Sequence, residues 1–178
     1  MFSNRRYLFI SLASTLIFAL CLSGCGHSDS DLERGLDDYN KKDYVKAAQW
    51  FQKSANKGHA TAQYHLGMMY YDGEGVPQDF TEAARWFGKA GEQGHAKAQN
   101  NLGVLYYDGN GVPQDFTKAA QWYRQSAEQG NVDAQINLAI MYKKGIGVPK
   151  DLAEATRWFR QSAEQGNAYA VEELERLP

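Results

Sequence analysis

The 178-residue chain is 43% hydrophobic and 22% charged, a composition that excludes a disordered segment and suits a domain with a buried core. Nineteen Lys and Arg against 21 Asp and Glu give a net charge of −2, which excludes the basic excess that nucleic-acid binding requires. Two cysteines leave no room for a multi-disulfide framework.

At the N-terminus, Arg5 and Arg6 precede Tyr7 to Leu22, an uncharged run followed by the small and polar "SGCGHSDSD". A basic start, an apolar middle and a small-residue exit read as a secretory signal, and the run falls short of the roughly 20 residues of a spanning helix. Leu22-Ser23-Gly24-Cys25 resembles the bacterial lipobox. That resemblance implies removal of residues 1–24 and a diacylglyceryl group on the Cys25 thiol; an ordinary signal peptide with a stray cysteine is the alternative. Three acyl chains on Cys25 would form a durable membrane anchor, since two already hold stably. Gly26, where an Asp would direct retention, implies delivery to the outer membrane, with the protein facing the periplasm. Residues 25–30 then form a polar tether.

From residue 31 the chain is periodic. Residues 60–95, 96–131 and 132–167 align without a gap at a shift of 36, and the first two copies share 22 of 36 positions. Residues 31–59 carry the second helix of the unit but a shorter turn, and read as an N-terminal half repeat of tetratricopeptide type. Residues 168–178 read as a lone C-terminal capping helix with Glu172, Glu173 and Glu175 on its exposed side.

Within each copy two helical patterns flank a Gly-rich corner. In the first copy they run from about Thr61 to Tyr71 and from about Asp79 to Gln93. Ala62, Leu66 and Tyr70 form one apolar stripe, with Gly67 beside it allowing close approach; Phe80, Ala83, Ala84, Trp86, Phe87 and Ala90 form the other. The four tryptophans, Trp50, Trp86, Trp122 and Trp158, share one register and are expected in the core. Gly94, Gly130 and Gly166 follow the second helices as C′ residues, and His59 and His95 occupy the turn slot that Asn131 and Asn167 fill elsewhere, which makes them turn residues.

The corner reads "YYDGEGVPQDF", then "YYDGNGVPQDF", then "YKKGIGVPKDL". The third copy drops the acids and keeps Gly145, Gly147, Val148, Pro149 and Asp151. Two Gly supply positive φ, Val fills the gap between helices, Pro stops the helix and Asp caps the next, with Asp79 and Glu82 forming a capping box. Calcium would need six or more oxygens, and a phosphate loop would join strand to helix rather than helix to helix. No His-x-x-x-His and no Cys and His cluster is present, so neither a metal nor a cofactor is expected. Charge drifts along the corners from Asp72, Glu74 and Asp108 to Lys143, Lys144 and Lys150.

The pattern "AxAQxxLGxxYxxGxGVPxDxxxAxxW" resembles the Sel-1-like repeat, a relative of the tetratricopeptide repeat, over about Asp31 to Leu177. The departures are Ala139 for Gly and Thr156 for Ala. The resemblance implies an all-α, right-handed α-solenoid of about nine helices that binds a protein or peptide partner on a concave face lined by the first helix of each pair. The positions on that helix that vary between copies are the candidates: Thr61, Lys97 and Asp133; Tyr64, Asn100 and Ile136; His65, Asn101 and Asn137. Of these Tyr64, Asn100, Asn101 and Asn137 come first. The expected role is a lipid-anchored adaptor of the cell envelope, with a surface-exposed host-interaction factor as the alternative. Some cysteine-rich members of the family bind β-lactams, and Ser54-Ala55-Asn56-Lys57 matches Ser-x-x-Lys. Neither Ser-Asp-Asn nor Lys-Thr-Gly accompanies it, so no catalytic residue is expected.

Overall fold

A computed structural model describes residues 29–177, and every regular element among them is an α-helix. In chain order these are α1 (Ser30–Asn40), α2 (Tyr44–Asn56), α3 (Ala60–Asp72), α4 (Phe80–Glu92), α5 (Ala96–Asp108), α6 (Phe116–Glu128), α7 (Val132–Lys144), α8 (Leu152–Glu164) and α9 (Ala168–Glu175). The two helices of the first full period begin and end within one residue of the expected spans. Residues 31–59, read as a half repeat, contain a whole helix pair. Packing runs chiefly between helices consecutive in the chain, as in a solenoid. The signal segment, Cys25 and nearly all of the tether 25–30 lie outside the described residues. None of the described helices is long and apolar enough to cross a membrane.

The corners hold the array in register. Asp79 accepts the amide N–H groups of Thr81 and Glu82 at 2.9 and 3.1 Å, and Asp115 and Asp151 cap α6 and α8 in the same way. The expected capping box is only half formed. The Asp79 N–H already donates to the Tyr70 carbonyl at 2.9 Å, and Glu82 instead accepts from Arg85 at 2.6 Å. Gly75 sits at φ 71°, and a Cβ there would meet the Tyr44 carbonyl oxygen at 2.2 Å. Its counterparts Gly111 and Gly147 lie equally close to Phe80 and Phe116. Each corner therefore docks on the first residue of the second helix one repeat earlier.

The sequence reading placed all four tryptophans in the core; two are not. Trp86 and Trp158 are 1% and 3% exposed, whereas Trp50 and Trp122 are half-buried. The aromatic sealed in every unit is the next residue: Phe51, Phe87, Tyr123 and Phe159 are at most 3% exposed. In the first three units its ring fills the space of a missing side chain on the first helix; in the fourth Ala139 stands at that position. A Cβ on Gly35, Gly67 or Gly103 would lie 2.6 to 2.7 Å from the ring. The tryptophan, about 100° further round the helix, points back to the preceding unit; Trp86 joins the apolar cluster of α2 and α3, and Trp122 packs against that of α4 and α5.

A polar clasp repeats at each junction. Gln63, Gln99 and Gln135 are at most 4% exposed, and their amides donate to the carbonyls of Ala55, Gly91 and Ala127 at 3.2, 2.9 and 3.3 Å. Their side-chain oxygens accept from Gln93, Gln129 and Gln165 at 2.7, 2.6 and 2.9 Å. One buried glutamine thus joins the ends of two successive second helices, adding a side-chain donor to a carbonyl that the following Gly N–H also reaches.

At the C-terminal end, Glu173 was expected to face water and does not. It is 7% exposed and accepts from Lys143 of α7 at 2.6 Å and from Arg176 at 3.3 Å. Glu172 and Glu175 are exposed as expected.

Candidate functional site

The variable positions of α3, α5 and α7 lie together, in two connected patches. Thr61, Lys97 and Asp133, in the first turns of those helices, are exposed and form a mixed-charge rim.

The first patch is aromatic. Tyr64 stacks on His95 with centroids 4.6 Å apart and meets His65 edge-on at 5.3 Å. His65 in turn stacks on Phe51 at 5.0 Å. Burial holds the His65 imidazole below its usual range, aided by the neighbouring His95 and Lys97. Burial also lowers His95, whose Nδ1 accepts the Ala98 N–H at 3.2 Å as the cap of α5. His95 is therefore the turn residue expected, and also a wall of this patch; His59 caps nothing through its side chain.

The second patch is amidic and crosses three helices. Asn137 of α7 donates to the Asn100 side-chain oxygen at 3.2 Å, Asn100 donates to Asn101 at 3.3 Å, and Asn101 reaches the Met68 sulfur of α3 at 3.1 Å. Sulfur is a weak acceptor, so this last link is easily exchanged for a stronger one. Asn100 is 8% exposed, and Ile136 is half-buried against the apolar cluster of α6 to α9.

Beside the asparagines a depression of about 260 Å³ is lined by Tyr107, Asn137, Ile140, Met141 and Lys144, with Tyr123 as its floor. Of these only Asn137 was a sequence candidate for the face, and Lys144 was noted only for the charge drift. Ile140, like Met68 and Val104, sits four residues after the Tyr64, Asn100 and Ile136 slot and varies between copies by the same criterion, so the signal was present one helical turn further on. Tyr107 and Lys144 belong to the corner motif, where variation was assigned to the turn. The charge drift is partly consumed internally: Glu74 accepts from the Tyr39 hydroxyl at 2.8 Å and Lys143 holds Glu173.

The face offers amide donors and acceptors beside an apolar recess. Ser54 is fully buried and donates to Asp29, and Lys57 pairs with Asp31 at 2.6 Å. The Ser-x-x-Lys match thus has no accessible nucleophile.

The Sel1 repeat model matches residues 32–59, 60–95, 96–131 and 132–167. The chain is 36% identical to a protective antigen present in uropathogenic Escherichia coli strains, described as displaying an SLR fold, over 92% of this chain and 36% of that one, with a TM-score of 0.80. A Sel1 repeat protein from Oxalobacter formigenes is 34% identical over 80% of this chain and 59% of that one, with a TM-score of 0.77. Helicobacter pylori cysteine rich protein B shares the fold at 22% identity, covering 85% of this chain and all of that one, with a TM-score of 0.57. The search of curated proteins returned no match. This chain spans less than two thirds of the length of each of the first two relatives. Four matched units over most of its length show that the chain belongs to the Sel1 repeat family, whose members generally serve as non-catalytic scaffolds for protein–protein interaction.

Proposed function

We propose that the protein is an envelope adaptor, anchored by lipid at Cys25, that holds an extended segment of a partner protein along α3, α5 and α7. The observation that carries the reading is the chain of amides from Asn137 through Asn100 and Asn101, beside the recess of Ile140 and Tyr107. A peptide backbone needs donors and acceptors at intervals and pockets for alternate side chains, and this face supplies both. Site-specific photocrosslinking in intact cells tests it. A photoreactive residue at the exposed positions Thr61 or Asp133 should trap one defined adduct, and at exposed Arg160 of α8 it should trap none; equal labelling at all three would overturn the assignment of the face. Cys25→Ser should move the protein from the membrane to the soluble fraction without changing its melting temperature, and retention in the membrane would refute the anchor.

A second reading, a host-interaction factor on the cell surface, is favoured by the likeness to a protective antigen of a uropathogen. Protease added to intact cells separates the two: digestion of the chain supports display outward, and protection supports a periplasmic adaptor.

A further inference from the structure

Beyond the face just described, a groove recurs on the other side of the array. Its three copies are lined by equivalent positions of α2, α4 and α6 and by the Gly-Val of the next corner, with volumes of about 300, 530 and 380 Å³. The middle copy is the widest because Gly88 stands where the neighbours carry Gln52 and Arg124. Nothing stands closer than 3.9 Å to a Cβ built on Gly88. Leu102 and Tyr106 of α5 line its floor and the half-buried Trp122 one wall. Both floor residues project from the side of α5 roughly opposite Asn100.

Trp122 differs from its sisters in one respect. Trp50 lies under Arg34 and Lys53 at 4.9 and 4.1 Å, Trp86 under Arg85 and Lys89 at 4.1 and 4.5 Å, and Trp158 under Arg157 at 4.2 Å. Gln121 and Gln125 replace the two cations of the Trp86 pattern, and among the described residues no cation covers Trp122. The charges at the rim are equally uneven. Arg85 is held by Glu82 and, with Lys89, lies on Trp86; Lys118 lies over Tyr106 and pairs with Asp115 at 3.6 Å. Glu92, exposed at the lip of the groove, has no ion-pair partner among the described residues. Arg85 and Lys89 also line the groove but lie on Trp86, so the uncovered indole of Trp122 and the unpaired carboxylate of Glu92 are left to complement a cation.

We infer that the groove between α4, α5 and α6 receives an arginine or lysine side chain of a partner protein, laid on Trp122 and directed at Glu92, in the place that the chain's own cations take on its other tryptophans. It is a second contact surface, independent of the first-helix face, and it fits a basic segment.

The probe is the blocked tripeptide acetyl-Leu-Arg-Leu-amide, compared with its citrulline analogue, which keeps the shape and removes the charge. Titration is followed at the four indole N–H resonances, assigned by single Trp→Phe variants. The arginine peptide should shift Trp122 selectively, with an affinity about fivefold above the citrulline peptide, as an exposed cation–π contact of about 1 kcal/mol gives. Gly88→Gln, which installs the side chain of the first copy at a helical site, and Gln121→Arg, which supplies the missing lid, should each abolish the shift while preserving helicity; Glu92→Gln should weaken it. No selective response at Trp122, an equal response to citrulline, or full binding by Gly88→Gln would overturn the assignment. Failure here leaves the crosslinking result at Thr61 and Asp133 unaffected.

Discussion

Four tryptophans in one register occupy two environments, Trp86 and Trp158 buried and Trp50 and Trp122 half-buried, and a covering cation alone does not decide which, since Trp50 is half-buried beneath Arg34 and Lys53. Trp86 and Trp158 lie beneath arginine and lysine stems that exclude water; Trp122 does not. Trp86→Ala should cost about 3 to 5 kcal/mol, the range of a buried aromatic truncation, and Trp122→Ala distinctly less. Denaturant unfolding of the two variants side by side checks this, and equal losses would mean that burial does not govern the cost. Gln99 carries a different weight. Replacing it by Leu keeps the volume but removes the bonds to the Gly91 carbonyl and from the Gln129 amide, which keep the Gly94 N–H and the Gln125 carbonyl as partners, so a loss of about 1 kcal/mol is expected, measured the same way. The sequence marked this glutamine as a fixed letter of the repeat but not why it is fixed, because its partners lie 8 and 30 residues away and no local pattern links them.

At the level of elements, the helices of the described residues, their corners and their caps were readable because each is dictated locally: a Gly that must take positive φ, an Asp that caps, an apolar stripe at helical spacing. What escaped was decided between elements. Phe51, Phe87 and Tyr123 are sealed against a glycine on another helix, and the Asn100 to Asn137 link joins residues of α5 and α7 that no local pattern brings together. Glu173 is a third case, drawn inward by Lys143 from a helix that looked solvated. The hydrogen bond from Lys143 holds the Glu173 carboxyl below its ordinary value of 4.5, burial opposes this, and Arg176 adds to it. A depressed folded-state value means that the stabilisation is complete above about pH 4.5, where the unfolded carboxyl is ionised, and is lost as pH falls through the folded value. Lys143→Met should therefore lower the melting temperature at pH 7 by clearly more than at pH 3. The difference between variant and parent should shrink with acidification; a constant difference would show that packing of the lysine stem, not the ion pair, holds α9.

At the level of the whole molecule, each unit is bonded mainly to its neighbours, so stability should resemble a sum of unit and junction terms. That makes removal of one complete period a stringent test of the architecture. Deleting residues 96–131 joins His95 to Val132, and every junction position then meets its equivalent: Gln135 faces the Gly91 carbonyl in place of Ala127, Gly147 docks on Phe80 in place of Phe116, and Asn137 arrives opposite Met68 where Asn101 stood. The shortened protein should keep its helicity per residue in circular dichroism and still unfold cooperatively, at a lower temperature because one unit and one junction are gone. It should lose the response to the arginine peptide, since Trp122 leaves and Trp158 brings its own Arg157 into the groove beside Gly88. A deletion of the wrong length, removing residues 96–125, leaves Ser126 to Asn131 as six extra residues between α4 and α7, which takes Gln135 and Gly147 out of register with α4 and should lower the melting temperature further. If both deletions behaved alike, the period would not be the unit of structure, and the docking of each corner on the preceding helix would have to be abandoned as the source of register.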